Sequence, residues 1–280
     1  MTIVFKAAVL KCLLVINPQK NSARWLNGPV ICAPVEDIYP IMELFCEWVI
    51  SQSFKIVNAS TPELNNFQSL YISNKIISLT NVLPIEISLS AVIKKELTGD
   101  IWDETGYRSG GKKRKLKTII NRVIKDGIKV ISDPDDYPYD SKEMYLKFYA
   151  KLLSDGYEYN NISGQDAFKA AEILMLQDRL GHSKTFFAFN HNVLVCCMNF
   201  AIMGNEIYLR KLAINREVKD SGASYYTMMV VAEWAKSHNF KTLNLTTTRL
   251  TLHGKDKNLR QYKSRFGGKV YPIYELSTNK

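Results

Sequence analysis

The sequence predicts an α/β chain with mixed sheets, divided into two domains. Three observations point there: a length of 280 residues, amphipathic helices alternating with short apolar strands, and a helix–strand segment that occurs twice. The length is generous for one compact domain and comfortable for two. Apolar residues make up 46% and charged residues 23%, an ordinary globular composition that does not suggest disorder.

The first run, Ile3 to Ile16, is mostly apolar but carries Lys6 and Lys11. It is too short and too charged to span a bilayer. It has neither the basic leader nor the small-residue cleavage site of a secretory signal. It is expected to form two buried strands or a hairpin. Residues 36–52 follow as a helix, with Glu36 and Asp37 at the positive end of its dipole and Ile38, Ile41, Met42, Phe45 and Val49 at helical spacing. Residues 54–57 then form a strand.

The same order returns near the C-terminus. Asp220 or Ser221 can cap a helix running to about His238, and Phe240–Leu245 reads as a strand. At an offset of 186 residues the two segments align without a gap. Tyr39, Met42, Glu47, Trp48, Ser51, Phe54, Lys55, Asn58 and Thr61 match Tyr225, Met228, Glu233, Trp234, Ser237, Phe240, Lys241, Asn244 and Thr247. Ordinary residue usage would give about one or two such matches. Shared amphipathicity explains the apolar identities but not the Ser or Asn pairs, so the segment is expected to be a duplicated helix–strand unit.

Between the copies lies the most basic stretch. Lys112, Lys113, Arg114, Lys115, Lys117, Arg122 and Lys125 surround an apolar stripe of Leu116, Ile119, Ile120, Val123 and Ile124, and Gly127 provides a helix stop. No acid interrupts the cations before Asp126, so Lys112, Lys113, Arg114, Lys115 and Lys117 are candidate phosphate contacts, against the plainer reading of a solvated helix face. The acidic, turn-rich residues 132–139 read as the interdomain linker. Helices near 141–155 and 164–180 and strands near 184–190, 193–202 and 206–213 complete a mixed α/β domain. The expected domains are therefore 1–137 and 138–280, the N-terminal one being the shorter.

The net charge of +10 favours polyanionic partners: nucleic acid, an anionic membrane surface or a phosphorylated substrate. The five cysteines, Cys12, Cys32, Cys46, Cys196 and Cys197, are odd in number and lack metal-ligand spacing. They are expected to be reduced thiols of a cytoplasmic protein, with no disulfide framework. His182, His191, His238 and His253 lie apart, and no metal is expected.

Three C-terminal segments resemble the FemABX branch of the GNAT superfamily. Ala223–Phe240, with Glu233-Trp234-Ala235-Lys236, is similar to that family's helix ending W-A-x-x-x-G, with Asn239 in place of glycine. Leu243-Asn244-Leu245-Thr246-Thr247-Thr248-Arg249 is similar to the strand and G-G-S-R turn that follow, with threonines for the glycines. Leu259-Arg260-Gln261-Tyr262-Lys263-Ser264-Arg265-Phe266-Gly267-Gly268 resembles the segment L-Y-x-F-K-x-x-F/W-G-G. In the N-terminal half, Trp25-Leu26-Asn27-Gly28-Pro29 resembles a G-P turn, and the basic helix running to Gly127-Ile128-Lys129-Val130 resembles a Lys/Arg-rich segment ending in G-V. The resemblance implies two tandem GNAT-like domains and transfer of an activated acyl group to an amine. It implies aminoacyl-tRNA or acyl-CoA as co-substrate, no permanently bound cofactor, and a cell-wall, peptide or polysaccharide precursor as acceptor.

An acyl-CoA enzyme cradles the pyrophosphate on a Gly-rich turn at a helix N-terminus. The corresponding turn, Lys219-Asp220-Ser221-Gly222-Ala223-Ser224, keeps one glycine and places Asp220 beside the anion. The basic helix suits tRNA better, so aminoacyl-tRNA is the favoured donor. A non-catalytic RNA- or nucleotide-binding module on the same scaffold is the rival from another class. Lys263 is the leading catalytic candidate, for a phosphate contact or for stabilising developing charge. Arg249 is a candidate acceptor anchor, and Tyr262 and Arg265 line the same expected pocket. Tyr208, on a predicted strand beside Arg210 and Lys211, is a further substrate-contact candidate, although a core or edge tyrosine is its plainer reading. His253, in the expected loop from Thr246 to Asn258, is the one histidine to test as a base. The expected partners are tRNA, an anionic acceptor and peripheral membrane contact.

Overall fold

The computed structural model describes residues 2–5, 8–17, 19, 21–32, 34–57, 59–61, 63–64, 73–98, 116–132, 142–159, 166–215, 217–218, 222–250 and 254–278. The chain divides into two compact units. One comprises Met1–Ile93, Thr247–Gln261 and Val270–Lys280, and the other Lys94–Thr246 with Tyr262–Lys269. This division differs from the boundary expected at residue 137, because strand pairing overrides chain order.

In the first unit β1 (Thr2–Phe5), β2 (Ala8–Asn17) and β3 (Ser22–Cys32) form an antiparallel meander, so the N-terminal run is the expected hairpin. After α1 (Val35–Ser51) the chain returns in β4 (Lys55–Val57), parallel to β3. The apolar positions read from the sequence form the core: Ile41, Met42, Phe45 and Val49 are fully buried, packed with Ile56 and Leu79. The short β5 (Ala59–Ser60) receives the C-terminal strand, pairing Ser60 with Glu275 and Ala59 with Leu276. A long strand, β6 (Ile85–Glu96), had no counterpart in the sequence reading.

The second unit begins its helices with α2 (Leu116–Lys125), followed by β7 (Ile128–Ile131). Then come α3 (Lys142–Tyr159), α4 (Ala167–Arg179), β8 (Ser183–Asn190), β9 (Val193–Met203), β10 (Glu206–Ile214), α5 (Ala223–Ser237) and β11 (Thr242–Arg249). β7 to β10 are successive antiparallel neighbours, while β10 and β11 run parallel with α5 as the crossover. Leu194 to Phe200 of β9 are buried without alternation, as expected of a strand covered on both faces. Phe187 and Cys197 pack with Tyr149 and Leu153 of α3 and Leu174 of α4. Phe186, on the opposite face, meets the Trp234 ring of α5 edge-on at 5.4 Å.

The start of α5 departs from expectation. Its N-cap is Gly222 at φ +77°, with no side-chain cap. A Cβ on Gly222 would stand 2.6 Å from Ile119 Cγ2 and 3.2 Å from Val123 Cγ2. The apolar stripe of α2 therefore packs onto the first turn of α5, and only glycine fits there. Two further elements, α6 (Gly254–Ser264) and β12 (Lys269–Thr278), complete the chain.

Cys46, Cys196 and Cys197 are free and buried. Burial pushes the Cys46 and Cys196 thiols up to about 12 and Cys197 well above its ordinary value, so none carries thiolate character at neutral pH. Among the described residues no helix is long and apolar enough to cross a membrane, and no group of three His, Cys, Asp or Glu side chains is placed to hold a metal ion.

Candidate active site

The site grows from a break in a buried strand. β10 and β11 pair in parallel at Glu206–Thr242, Ile207–Leu243 and Tyr208–Asn244. On its other edge β10 shifts register against β9 between Leu209 and Lys211, the mark of a bulge that re-aims a strand. β11 breaks at the same level. The Asn244 side chain is 2% exposed, and its Oδ1 accepts the Thr246 backbone N–H at 2.8 Å. This is an Asx-type turn, in which a side-chain acceptor takes a donor that the ladder would otherwise use. Thr246 sits at φ +60°, a strained conformation for a β-branched residue.

Lys263 comes to this break from the last turn of α6. It is 2% exposed, and its Nζ donates to Thr246 Oγ1 at 3.3 Å. Burial lowers its pKa from the ordinary lysine value to about 8, because a desolvated ammonium is costly. Lys263 thus lies buried in a helix, and much of the loop expected over residues 246–258 is the end of β11 and the start of α6. Its neighbours anchor the same turn to α5. The Tyr262 hydroxyl donates to the Ser224 carbonyl at 3.1 Å, and burial drives that phenol well above its ordinary range. Arg265 donates to the Tyr225 hydroxyl and lies 5.1 Å from the centre of that ring. Tyr225 packs in turn against Tyr262 and Phe266.

The structure therefore brings Asn244, Thr246 and Lys263 together, with Tyr208 paired to Asn244 on the neighbouring strand, and anchors the adjoining Tyr262 and Arg265 to α5. Tyr208 is half-buried, one pair before the break. Beyond it, Lys211 is half-buried and held below the ordinary lysine range by desolvation and by Arg210. Arg249 ends β11; its side chain, His253, Lys112, Lys113, Arg114 and Lys115 lie outside the described residues. Lys117, Arg122 and Lys125 are exposed on α2. His182, His191 and His238 are exposed, and His238 stacks on Trp234 at the end of α5.

Asn244 and Thr246 were missed as site residues, yet a signal existed. Thr246 occupies a position where the resembled turn carries glycine, and it holds the left-handed backbone that glycine adopts freely. A second polar group, the half-buried Asp178 with the buried Ser183, Thr185 and Asn199, joins the end of α4 to β8 and β9, and leaves Asn199 Oδ1 without a hydrogen-bond partner. Desolvation raises the Asp178 carboxyl.

No family model matches the sequence, and no curated protein matches it. Solved structures do. FemX matches with a TM-score of 0.62 at 9% identity, over 98% of this chain and 86% of its own. L-PGS from Bacillus licheniformis matches at 0.54 and 14%, over 98% and 81%. A tandem GNAT protein from the clavulanic acid biosynthesis pathway matches at 0.56 and 11%, over 98% and 79%. At such identities the likeness is one of fold. The chain has the FemABX/GNAT-like fold that its C-terminal motifs resemble, over nearly its whole length.

Proposed function

We propose that this protein is an acyltransferase that moves an activated aminoacyl or acyl group from a donor ester onto an amine acceptor. The observation that carries this reading is the buried Lys263 amine, set against Thr246 where the parallel pairing of β10 and β11 ends. The acceptor nitrogen attacks the donor carbonyl, and the C–N bond forms as the bond to the leaving oxygen breaks. The proton lost by nitrogen passes to that oxygen. The Lys263 ammonium stabilises the negative charge that develops on the carbonyl oxygen or on an adjoining phosphate, a task worth more in a desolvated setting than in water.

Aminoacyl-tRNA is the favoured donor, and a cell-wall, peptide or polysaccharide precursor the acceptor. The first turn of α5 supports this choice over acyl-CoA. Gly222, Ala223 and Ser224 are buried, and Ile119 and Val123 of α2 fill the space beside Gly222. A pyrophosphate cradle needs backbone N–H groups open to the anion, and apolar side chains of α2 crowd the Gly222 end of this turn. The outer face of the same α2 presents Lys117, Arg122 and Lys125 to a polyanion. We also read β3–α1–β4 and β10–α5–β11 as two copies of one duplicated segment in tandem GNAT-like halves.

The test supplies the protein with tRNA charged with labelled amino acids, or with labelled acetyl-CoA, and an amine-bearing precursor. Transfer from tRNA that is lost in Lys263→Met supports the proposal. Transfer from acetyl-CoA alone replaces the donor, and tRNA binding without transfer makes the chain a binding module. Replacing Lys112, Lys113, Lys115 and Lys117 with Gln is expected to flatten the salt dependence of tRNA binding by about one unit of slope per lost contact. An unchanged slope removes the cations at 112, 113, 115 and 117 from the tRNA surface.

A further inference from the structure

Thr246 is the described residue in which left-handed strain inside a strand, partial burial and a functional group meet. Asn21, Ser53, His191 and Asn239 also have positive φ, but they sit in turns and are exposed. Thr246 lies inside a strand. Its neighbours Leu243 and Leu245 are fully buried, so the kink cannot relax into solvent. Nothing in strand geometry calls for a left-handed β-branched residue here. Such strain persists where surrounding structure enforces it and is concentrated where geometry serves function.

Two contacts show what enforces it and what it serves. The buried Asn244 carboxamide takes the Thr246 N–H at 2.8 Å. The kinked Thr246 then offers its hydroxyl oxygen to Lys263 Nζ at 3.3 Å. In a regular strand Thr246 would point to the same face as Asn244, and the Asx bond from Asn244 to its N–H would not form. We propose that Asn244 and Thr246 are positioning residues for Lys263: the Asx turn locks Thr246 in the left-handed conformation, and its hydroxyl holds the lysine ammonium at one place at the end of the β10–β11 pairing. This rests on the catalytic role given to Lys263 above and adds the two residues that fix where its charge stands.

The decisive variant is Thr246→Gly. Glycine adopts φ +60° without strain, so the variant is expected to fold at least as well as the parent while lacking the hydroxyl. Thr246→Ser keeps the hydroxyl, and Asn244→Ala removes the lock. Two readouts are taken. The first is titration of Lys263 in protein carrying 13C-labelled lysine, followed at Cε by NMR and assigned by the signal missing from Lys263→Met. Loss of an acceptor for the ammonium disfavours the charged form, so the midpoint is expected to fall in Thr246→Gly and Asn244→Ala, and to return to the parent's in Thr246→Ser. The second is the kcat against KM split for aminoacyl transfer. A fall of about tenfold or more in kcat with little change in KM is expected for Thr246→Gly, because the lost contact acts on developing charge.

The titration needs no activity. If the parent transfers nothing, the proposed function fails while the Lys263 midpoint still tests the positioning. An unchanged or raised midpoint in Thr246→Gly overturns the positioning proposal, whatever the activity.

Discussion

The two βαβ units end their helices in the same way and then diverge. In α1 the N–H groups of Gln52, Ser53 and Phe54 bond to the carbonyls of Trp48, Ile50 and Val49. In α5 those of His238, Asn239 and Phe240 bond to Trp234, Lys236 and Ala235, the same positions at an offset of 186 residues. Ser51 Oγ donates to the Trp48 carbonyl at 2.7 Å, and Ser237 Oγ to the Trp234 carbonyl at 2.8 Å. Lys55 N–H then bonds to the Asn21 carbonyl, and Lys241 N–H to Asn205. The Ser, Phe and Lys identities found in the sequence are thus parts of one cap-and-return device. Beyond it the units part. β4 runs for three residues, whereas β11 runs for eight and carries the Thr246 kink. The shared device builds a frame, and the proposed chemistry is confined to the βαβ unit whose second strand continues.

The largest expected effect breaks the comparison at Lys263, which has no counterpart in the first unit's cap-and-return device. Its folded pKa is about 8 against an ordinary 10.5. Below pH 8 both folded and unfolded states hold the proton, and the buried charge costs its full amount. As pH rises from about 8 to 10.5 the folded state loses its proton first, so stability rises with pH. Lys263→Met should therefore stabilise the fold by up to about 3 kcal/mol near neutral pH. That gain should vanish by about pH 10.5, while turnover falls about tenfold or more. Urea unfolding across pH 6–10.5 checks the sign. A gain that persists to the top of that range would mean that burial of charge is not its origin.

Next come the two tryptophans. Trp234 stacks on Phe240 and His238 and meets Phe186 edge-on, whereas Trp48 is 39% exposed. Trp234→Ala is expected to cost about 3 kcal/mol and Trp48→Ala about 1 kcal/mol, since the cost follows buried contact. Equal losses in urea unfolding would show that the two side chains are as alike as their carbonyls. Gly222→Ala follows, at about 2 kcal/mol, from left-handed strain and crowding against Ile119. The first unit enters its helix through Pro34 at φ −56°, so Pro34→Ala should cost less than Gly222→Ala in the same assay.

These differences mark what the sequence could convey. The frame was legible wherever a face is buried at helical spacing, as in α1 and α5. It was illegible in α6, whose residues Lys255 to Ser264 include few apolar side chains to betray a period, and in β6, where buried and exposed positions do not alternate. Of the site, Lys263 was legible through its motif, but its burial was not, because lysine is a poor indicator of a buried position. The two-unit division draws on pairings that are far apart in sequence, β5 with β12 and β7 with β8, which no local pattern conveys. Asn239 and Thr246 carried the finest signal. Each replaces a glycine of the resembled motifs, and each holds a left-handed backbone.

That signal gives the smallest prediction and tests the duplication most closely. Ser53 and Asn239 sit at φ +58° and +63° in matched Schellman caps, where glycine is the favoured residue. A serine gains more from replacement than an asparagine, because the short amide of asparagine tolerates the left-handed region better. Ser53→Gly should therefore stabilise the protein by about 0.5–1 kcal/mol and Asn239→Gly by less, part of each gain being offset by the entropy glycine loses on folding. Ser53→Asn should recover part of the Ser53→Gly gain. If the caps are copies of one device, the three variants follow this order in thermal unfolding. Destabilisation by Ser53→Gly would show that the first cap depends on its serine side chain, and the correspondence would then end at the backbone.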